Sequence, residues 1–208
     1  MNEPARYLAL GDSYTCGEGV SAGESWPAQL AALLRRGGAA VADPQVVART
    51  GWTAAELTAG IVRAAPAGRF DLVSLLIGVN DQYRGGEVET YRLEFRALLR
   101  RAAAFTAGGP GRVVVLSIPD WGATPFAEGR DRAQIAALID RFNAVNRAET
   151  ERAGARYADI TPISRATRVP GSESPVAPDG LHPSAGMHTA WARLALPQAL
   201  AALGRNPP

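Results

Sequence analysis

The chain contains no lysine. Its 22 basic residues are all arginine, set against 20 acidic ones. Without an ε-amine there is no Schiff-base chemistry, no pyridoxal anchor, no P-loop NTPase and no kinase-type ion pair. A single cysteine, Cys16, rules out an internal disulfide and a cysteine zinc cluster. Two histidines, His182 and His188, leave little for a histidine-rich metal centre. No apolar run approaches the length of a membrane helix; the longest, residues 72–79, suits a buried strand. Residues 1–6 are polar and no secretory signal is visible, so the cytoplasm is the expected compartment and no membrane span is expected. A net charge of +2 is too small to indicate a nucleic-acid partner. The pI near 9.0 reflects arginine that never deprotonates, not a basic patch.

What remains is an ordinary globular composition. With 208 residues and 47% hydrophobic content, the chain can bury a real core as one domain, 1–208. Short apolar runs predict strands over 7–10, 41–48, 72–77, 113–118 and 156–160. Longer periodic stretches lie between them. Residues 26–36 follow Ser25, a candidate N-cap, with Pro27 in the first turn. Residues 53–65 open Thr-Ala-Ala-Glu, a capping-box pattern. Tyr91, Phe95, Leu98, Leu99 and Ala102 recur at helical spacing, as do Ile135, Leu138, Ile139, Phe142 and Val145. A last helix follows Pro183, and Pro197 should kink or end it. This alternation predicts a three-layer α/β/α sandwich, flavodoxin-like, with a five-stranded parallel sheet. Ligands bind such sheets at the carboxyl ends of the strands.

The segments at those ends carry the chemistry. Ser13 sits in a tight turn after the first strand. His182 follows Asp179 by three residues, so one turn can set a carboxylate against one ring nitrogen and leave the other facing outward. The backbone N–H groups of Ser13 and Gly51, and the side-chain amide of Asn80, come from three strand ends that can converge on an oxyanion. Gly51 has no Cβ to keep an acyl oxygen away. Tyr14, Trp52, Tyr83 and Trp121 each follow a different strand end; they are either core filler or the wall of a substrate pocket, and at least two are expected to line it.

Four ordered blocks then resemble the SGNH hydrolases, the GDSL-type esterases and lipases. These are Gly11-Asp12-Ser13-Tyr14-Thr15-Cys16-Gly17-Glu18-Gly19, Gly51, Gly78-Val79-Asn80-Asp81, and Asp179-Gly180-Leu181-His182-Pro183. The resemblance spans nearly the whole chain. It implies Ser13 as nucleophile, His182 as general base, Asp179 as its orienter, and Ser13, Gly51 and Asn80 as oxyanion donors. It implies no cofactor, no metal and a small-molecule ester substrate. The stretch from Trp121 to Phe126 resembles a loop of lysophospholipase-like bacterial members.

Plainer roles stand beside these. Asp12 and Asp81 either ligate a metal with Asp179 and His182, as in a phosphoesterase, or accept backbone N–H groups and hold their loops; the second is expected. Cys16 is expected to be a small apolar spectator. His188, read as about two turns into the last helix, is expected to be structural. A catalytically inactive binding module of the same fold is the remaining alternative.

Overall fold

A computed structural model describes residues 3–166 and 173–205. The sequence predicts a long irregular stretch over 161–183, of which 167–172 lie outside the described residues. The elements run β1 (Tyr7–Gly11), α1 (Ser13–Cys16), α2 (Trp26–Arg36), β2 (Gln45–Ala48), α3 (Ala54–Ala64), β3 (Leu72–Leu76), α4 (Val79–Tyr83) and α5 (Val88–Ala104). They continue with β4 (Val113–Leu116), α6 (Arg132–Arg152), β5 (Arg156–Ala158), α7 (Thr161–Ser164) and α8 (Ala185–Ala202). The strands form one five-stranded sheet, ordered β2-β1-β3-β4-β5 and parallel at every pairing. The helices flank it on both sides: α2 packs on α8, while α3 packs on α5 and α5 on α6. This is the expected three-layer architecture.

The three inner strands β1, β3 and β4 are buried along their whole length, as strands covered on both faces must be. Burying one such side chain, Leu8 or Leu75 for example, is worth about 1.5–3 kcal/mol. β2 is an edge strand with Val46 exposed. Chain order reverses between β1 and β3, and Ser13 and Asn80 lie beyond those two strand ends.

Several boundaries differ from expectation for identifiable reasons. The second strand begins at Gln45, not at 41, because Pro44 has no N–H for a ladder. Val41 makes only an isolated bridge to Ala5. The fourth strand stops at Leu116, because the Ile118 backbone is held by a side chain instead: its N–H donates to Asn143 Oδ1 (2.7 Å) and its carbonyl accepts from Asn143 Nδ2 (2.9 Å). Pro197 does not end the last helix, which runs on to Ala202. Ala195, Ala199 and Leu200 on either side of it are buried, and that packing outweighs the missing backbone donor. His188 lies in the first turn of α8, not two turns in, and is wholly buried.

Strand β1 enters its turn with no space to spare. A Cβ on Gly11 would stand 2.2 Å from Thr15 Oγ1 and 2.4 Å from the Leu76 carbonyl oxygen. The second is backbone of the neighbouring strand and cannot step aside. Gly11→Ala is expected to destabilise the protein by about 1–3 kcal/mol, the usual cost of overpacking. Gly23→Ala, where a Cβ meets nothing within 4 Å, is the control and should stay within about 0.5 kcal/mol of wild type. Urea midpoints measure both; equal midpoints would contradict the steric reading.

Candidate active site

The turn after β1 is built around Asp12. It is the N-cap of α1, and its Oδ1 accepts the Tyr14 N–H at 3.0 Å. The single helical turn that follows presents Ser13. The Ser13 hydroxyl takes no side-chain partner among the described residues and opens on a cavity of about 170 Å³.

Gly51 reaches the same cavity from the turn after β2. The Trp52 N–H closes that turn on the Arg49 carbonyl (3.2 Å), and Gly51 occupies its third position with φ +84°. A type II turn requires that positive φ, which glycine adopts without strain. Asn80 arrives on α4. Its side-chain amide donates to the Trp52 carbonyl at 3.0 Å, which leaves its second N–H uncommitted. The next residue, Asp81, accepts the Ala54 N–H with both oxygens, at 3.2 and 3.1 Å.

His182 closes the far side. Asp179 Oδ1 accepts the N–H groups of Leu181 and His182, both at 2.9 Å. Its other oxygen lies 2.6 Å from His182 Nδ1. The bond from Nδ1 directs Nε2 as the free nitrogen of the ring, and the ring itself lines the cavity. Burial pushes the Asp179 carboxyl up, but the His182 ring and the two backbone donors outweigh it and hold it below the usual carboxylate range. It is an anion at neutral pH.

Ser13, Gly51, Asn80 and His182 thus share one cavity, with Asp179 behind the imidazole. The geometry brings a serine hydroxyl, a carboxylate-bound imidazole, a glycine turn and a side-chain amide to one cavity. Three of the four expected aromatics, Tyr14, Tyr83 and Trp121, are in the cavity wall. Trp52 is not. Its indole lies against α3, where a Cβ on Gly60 would stand 2.2 Å from the ring. It contributes its carbonyl to Asn80 instead. Phe126, Leu181, Val79 and Thr50 line the cavity without having been singled out. Phe126, Leu181 and Val79 sit inside segments already marked by the site pattern, and Thr50 adjoins Gly51; that was the available signal. Trp121 is fixed by a bond from its Nε1 to Gln82 Oε1 (2.8 Å), and its ring meets Tyr83 and Phe126 edge-on. A smaller cavity of about 70 Å³ adjoins, sharing Tyr14, Trp121 and Leu181 as a common wall.

The remaining candidates have structural partners. His188 Nδ1 accepts the Trp26 N–H (3.2 Å), so this histidine, not Ser25, caps the start of α2. Burial pushes its pKa down to about 4 and keeps it neutral. Cys16 is half-buried with its Sγ 3.5 Å from the Ser13 carbonyl, and burial raises its pKa. Among the described residues no three His, Cys, Asp or Glu side chains form a group able to hold a metal ion. No helix there is long and apolar enough to cross a membrane.

Asp12 is the strained ionisable group of the site. Burial pushes its pKa up to about 8; the Tyr14 N–H opposes this, and the nearby Asp81 carboxyl adds to it. Burial likewise lifts Asp81 to about 6. An unfolded Asp loses its proton near pH 4, at about 3.9. Across the window from there to about 8 the folded state therefore holds more protons, and stability falls as pH rises. The melting temperature should drop between about pH 6 and about pH 8.5, and Asp12→Asn should flatten that drop. Parallel wild-type and mutant curves would refute the assignment.

The family model of GDSL-like lipases and acylhydrolases matches residues 9–190. No curated protein matches the sequence. Solved structures with the same fold include TesA, 21% identical with a TM-score of 0.70, covering 95% of this chain and 99% of that one. The psychrotrophic esterase EstA from a Pseudoalteromonas species, in a form inhibited by monoethylphosphonate, is 17% identical with a TM-score of 0.67, over 97% and 100% of the chains. The acetylxylan esterase Axe2 of Geobacillus stearothermophilus is 20% identical with a TM-score of 0.65, over 98% and 95%. With a family match over most of its length, the chain belongs to the GDSL-like lipase/acylhydrolase family and is a carboxylic ester hydrolase.

Proposed function

We propose that the protein hydrolyses small, uncharged carboxylic esters through an acyl-enzyme on Ser13. The observation that carries this reading is a single cavity lined by Ser13, Gly51, Asn80 and His182, with His182 Nδ1 2.6 Å from Asp179. Ser13 Oγ attacks the ester carbonyl while His182 Nε2 takes its proton. The carbonyl oxygen gains charge and is held by the Ser13 and Gly51 N–H groups and the Asn80 amide. Asp179 stabilises the imidazolium. His182 then protonates the departing alcohol, and water repeats the sequence on the acyl-enzyme. The wall formed by Val79, Tyr83, Trp121, Phe126 and Leu181 is apolar and suits an acyl or alkyl group. A metal-dependent phosphoesterase would need Asp12 and Asp81 as ligands, yet both accept backbone N–H groups.

Ser13→Ala should abolish hydrolysis of p-nitrophenyl acetate and labelling by a fluorophosphonate. Asn80→Ala should lower kcat by about 10²–10³ while leaving the fold intact. Retained esterase activity in Ser13→Ala would sink the mechanism, and an unlabelled wild-type Ser13 would favour a binding module.

The substrate class has its own test. A p-nitrophenyl series from acetate to decanoate, beside acetylated xylo-oligosaccharides and a lysophospholipid, should peak at a short acyl chain and be indifferent to EDTA. A maximum at the longest esters, or loss of activity with chelator, would overturn this part of the reading.

A further inference from the structure

Three bonds tie the segment after β2 to α4. Two come from residues already described, Asn80 to the Trp52 carbonyl and Asp81 to the Ala54 N–H. The third comes from Arg84, the residue that caps the end of α4. Its Nη2 donates to the Gly51 carbonyl at 2.6 Å. Its backbone N–H donates to the Asn80 carbonyl at 3.1 Å. One residue is therefore bonded directly to both Gly51 and Asn80, from two sides of the same turn of chain.

The guanidinium is itself held. Its Nη1 lies 3.3 Å from both carboxylate oxygens of Glu56. Glu56 is fixed in turn as the third residue of α3, where its Oε2 accepts the Thr53 N–H at 2.8 Å. Arginine suits this place because its planar fork reaches two acceptors at once at a fixed angle. Lysine would offer a point charge to one or the other.

We propose that Arg84 is a positioning residue of the oxyanion hole, setting the Gly51 N–H against the Asn80 amide so that both meet one oxygen. The inference rests on the proposed roles of Ser13, Gly51 and Asn80. The physical case has two parts. Glycine at φ +84° has the widest conformational freedom of any residue, so its turn needs an external restraint to hold a donor steady. Two donors that must converge within hydrogen-bond reach of one atom also lose much of their effect when one is displaced by a fraction of an ångström. The Arg84–Glu56 pair is about half exposed, at 52% and 45%, and exposed pairs contribute little to folding. A catalytic loss on removing Arg84 is therefore separable from a loss of structure.

The test uses the full chain and p-nitrophenyl acetate, with Arg84→Met, Arg84→Lys and Ser13→Ala measured together. Arg84→Met should lower kcat by about 10–100-fold, with KM within about twofold of wild type and an unchanged melting temperature. The rate of fluorophosphonate labelling should fall in parallel, because that reaction develops an oxyanion in the same place. Arg84→Lys keeps one donor for the Gly51 carbonyl and should recover part of the kcat. If Arg84→Met fails to fold, Arg84→Lys and Arg84→Gln carry the same comparison. An inactive Ser13→Ala beside an Arg84→Met whose kcat matches wild type would overturn this proposal and leave the serine mechanism standing. A kcat loss that only tracks the folded fraction would also overturn it. An active Ser13→Ala would instead overturn the mechanism on which it rests.

Discussion

A helical turn or tight bend opens with backbone N–H groups that nothing within it can accept. This chain closes several such turns in one way, with an aspartate whose carboxylate accepts the N–H two residues on. Asp12 takes Tyr14, Asp120 takes Gly122, Asp159 takes Thr161 and Asp179 takes Leu181. The short side chain bends the backbone back on itself and fixes what comes next. After Asp12 that is Ser13. After Asp120 it is Trp121, which walls the cavity. After Asp179 it is His182. The site is placed by this repeated device more than by any contact among the proposed catalytic side chains.

The same device gives opposite charge states. Asp12 is sealed inside the turn with one oxygen unpartnered, and burial keeps its proton on to about pH 8. Asp179 is partly exposed and has the imidazole and two N–H groups as partners, so it ionises below the usual range. The proposed serine thus has a largely neutral carboxyl immediately before it in the chain. The proposed base has an anion beside it. A negative charge near the developing oxyanion would work against the N–H donors, whereas one behind the imidazole favours the imidazolium.

Local spacing made part of this readable from sequence. Asp179 and His182 are three residues apart, and the strand-end blocks come in order, so the imidazole–carboxylate pair and the convergence of Ser13, Gly51 and Asn80 follow from short-range pattern plus the topology of a parallel sheet. The α3 capping box was legible for the same reason, since Thr53 and Glu56 form it within one turn. What escaped was set at long range. Trp52 follows a strand end like the other aromatics, but the space above Gly60 draws its ring away from the cavity. The early end of β4 depends on Asn143, 25 residues beyond Ile118. The place of His188 depends on Trp26, 162 residues away. Pro197 obeyed its helix neighbours rather than its own preference, because burial of that face of α8 decides the outcome.

The absence of lysine acquires a structural meaning from the arginines. Several of them reach across to backbone carbonyls that no secondary structure satisfies. Arg6 donates to the carbonyls of Arg69 and Ala67, Arg69 to those of Ala104 and Thr106, and Arg132 to that of Gly122. Arg156 and Arg205 do the same for Gly111 and Gly38. A forked, permanently charged donor is suited to this work, since it can hold one acceptor while its other nitrogen holds a second. Arg84 belongs to that set by geometry and stands apart by target. The carbonyl it holds is that of Gly51, whose N–H is a proposed oxyanion donor. A tether that elsewhere steadies a loop here bears on the distance between two donors, and so on the rate.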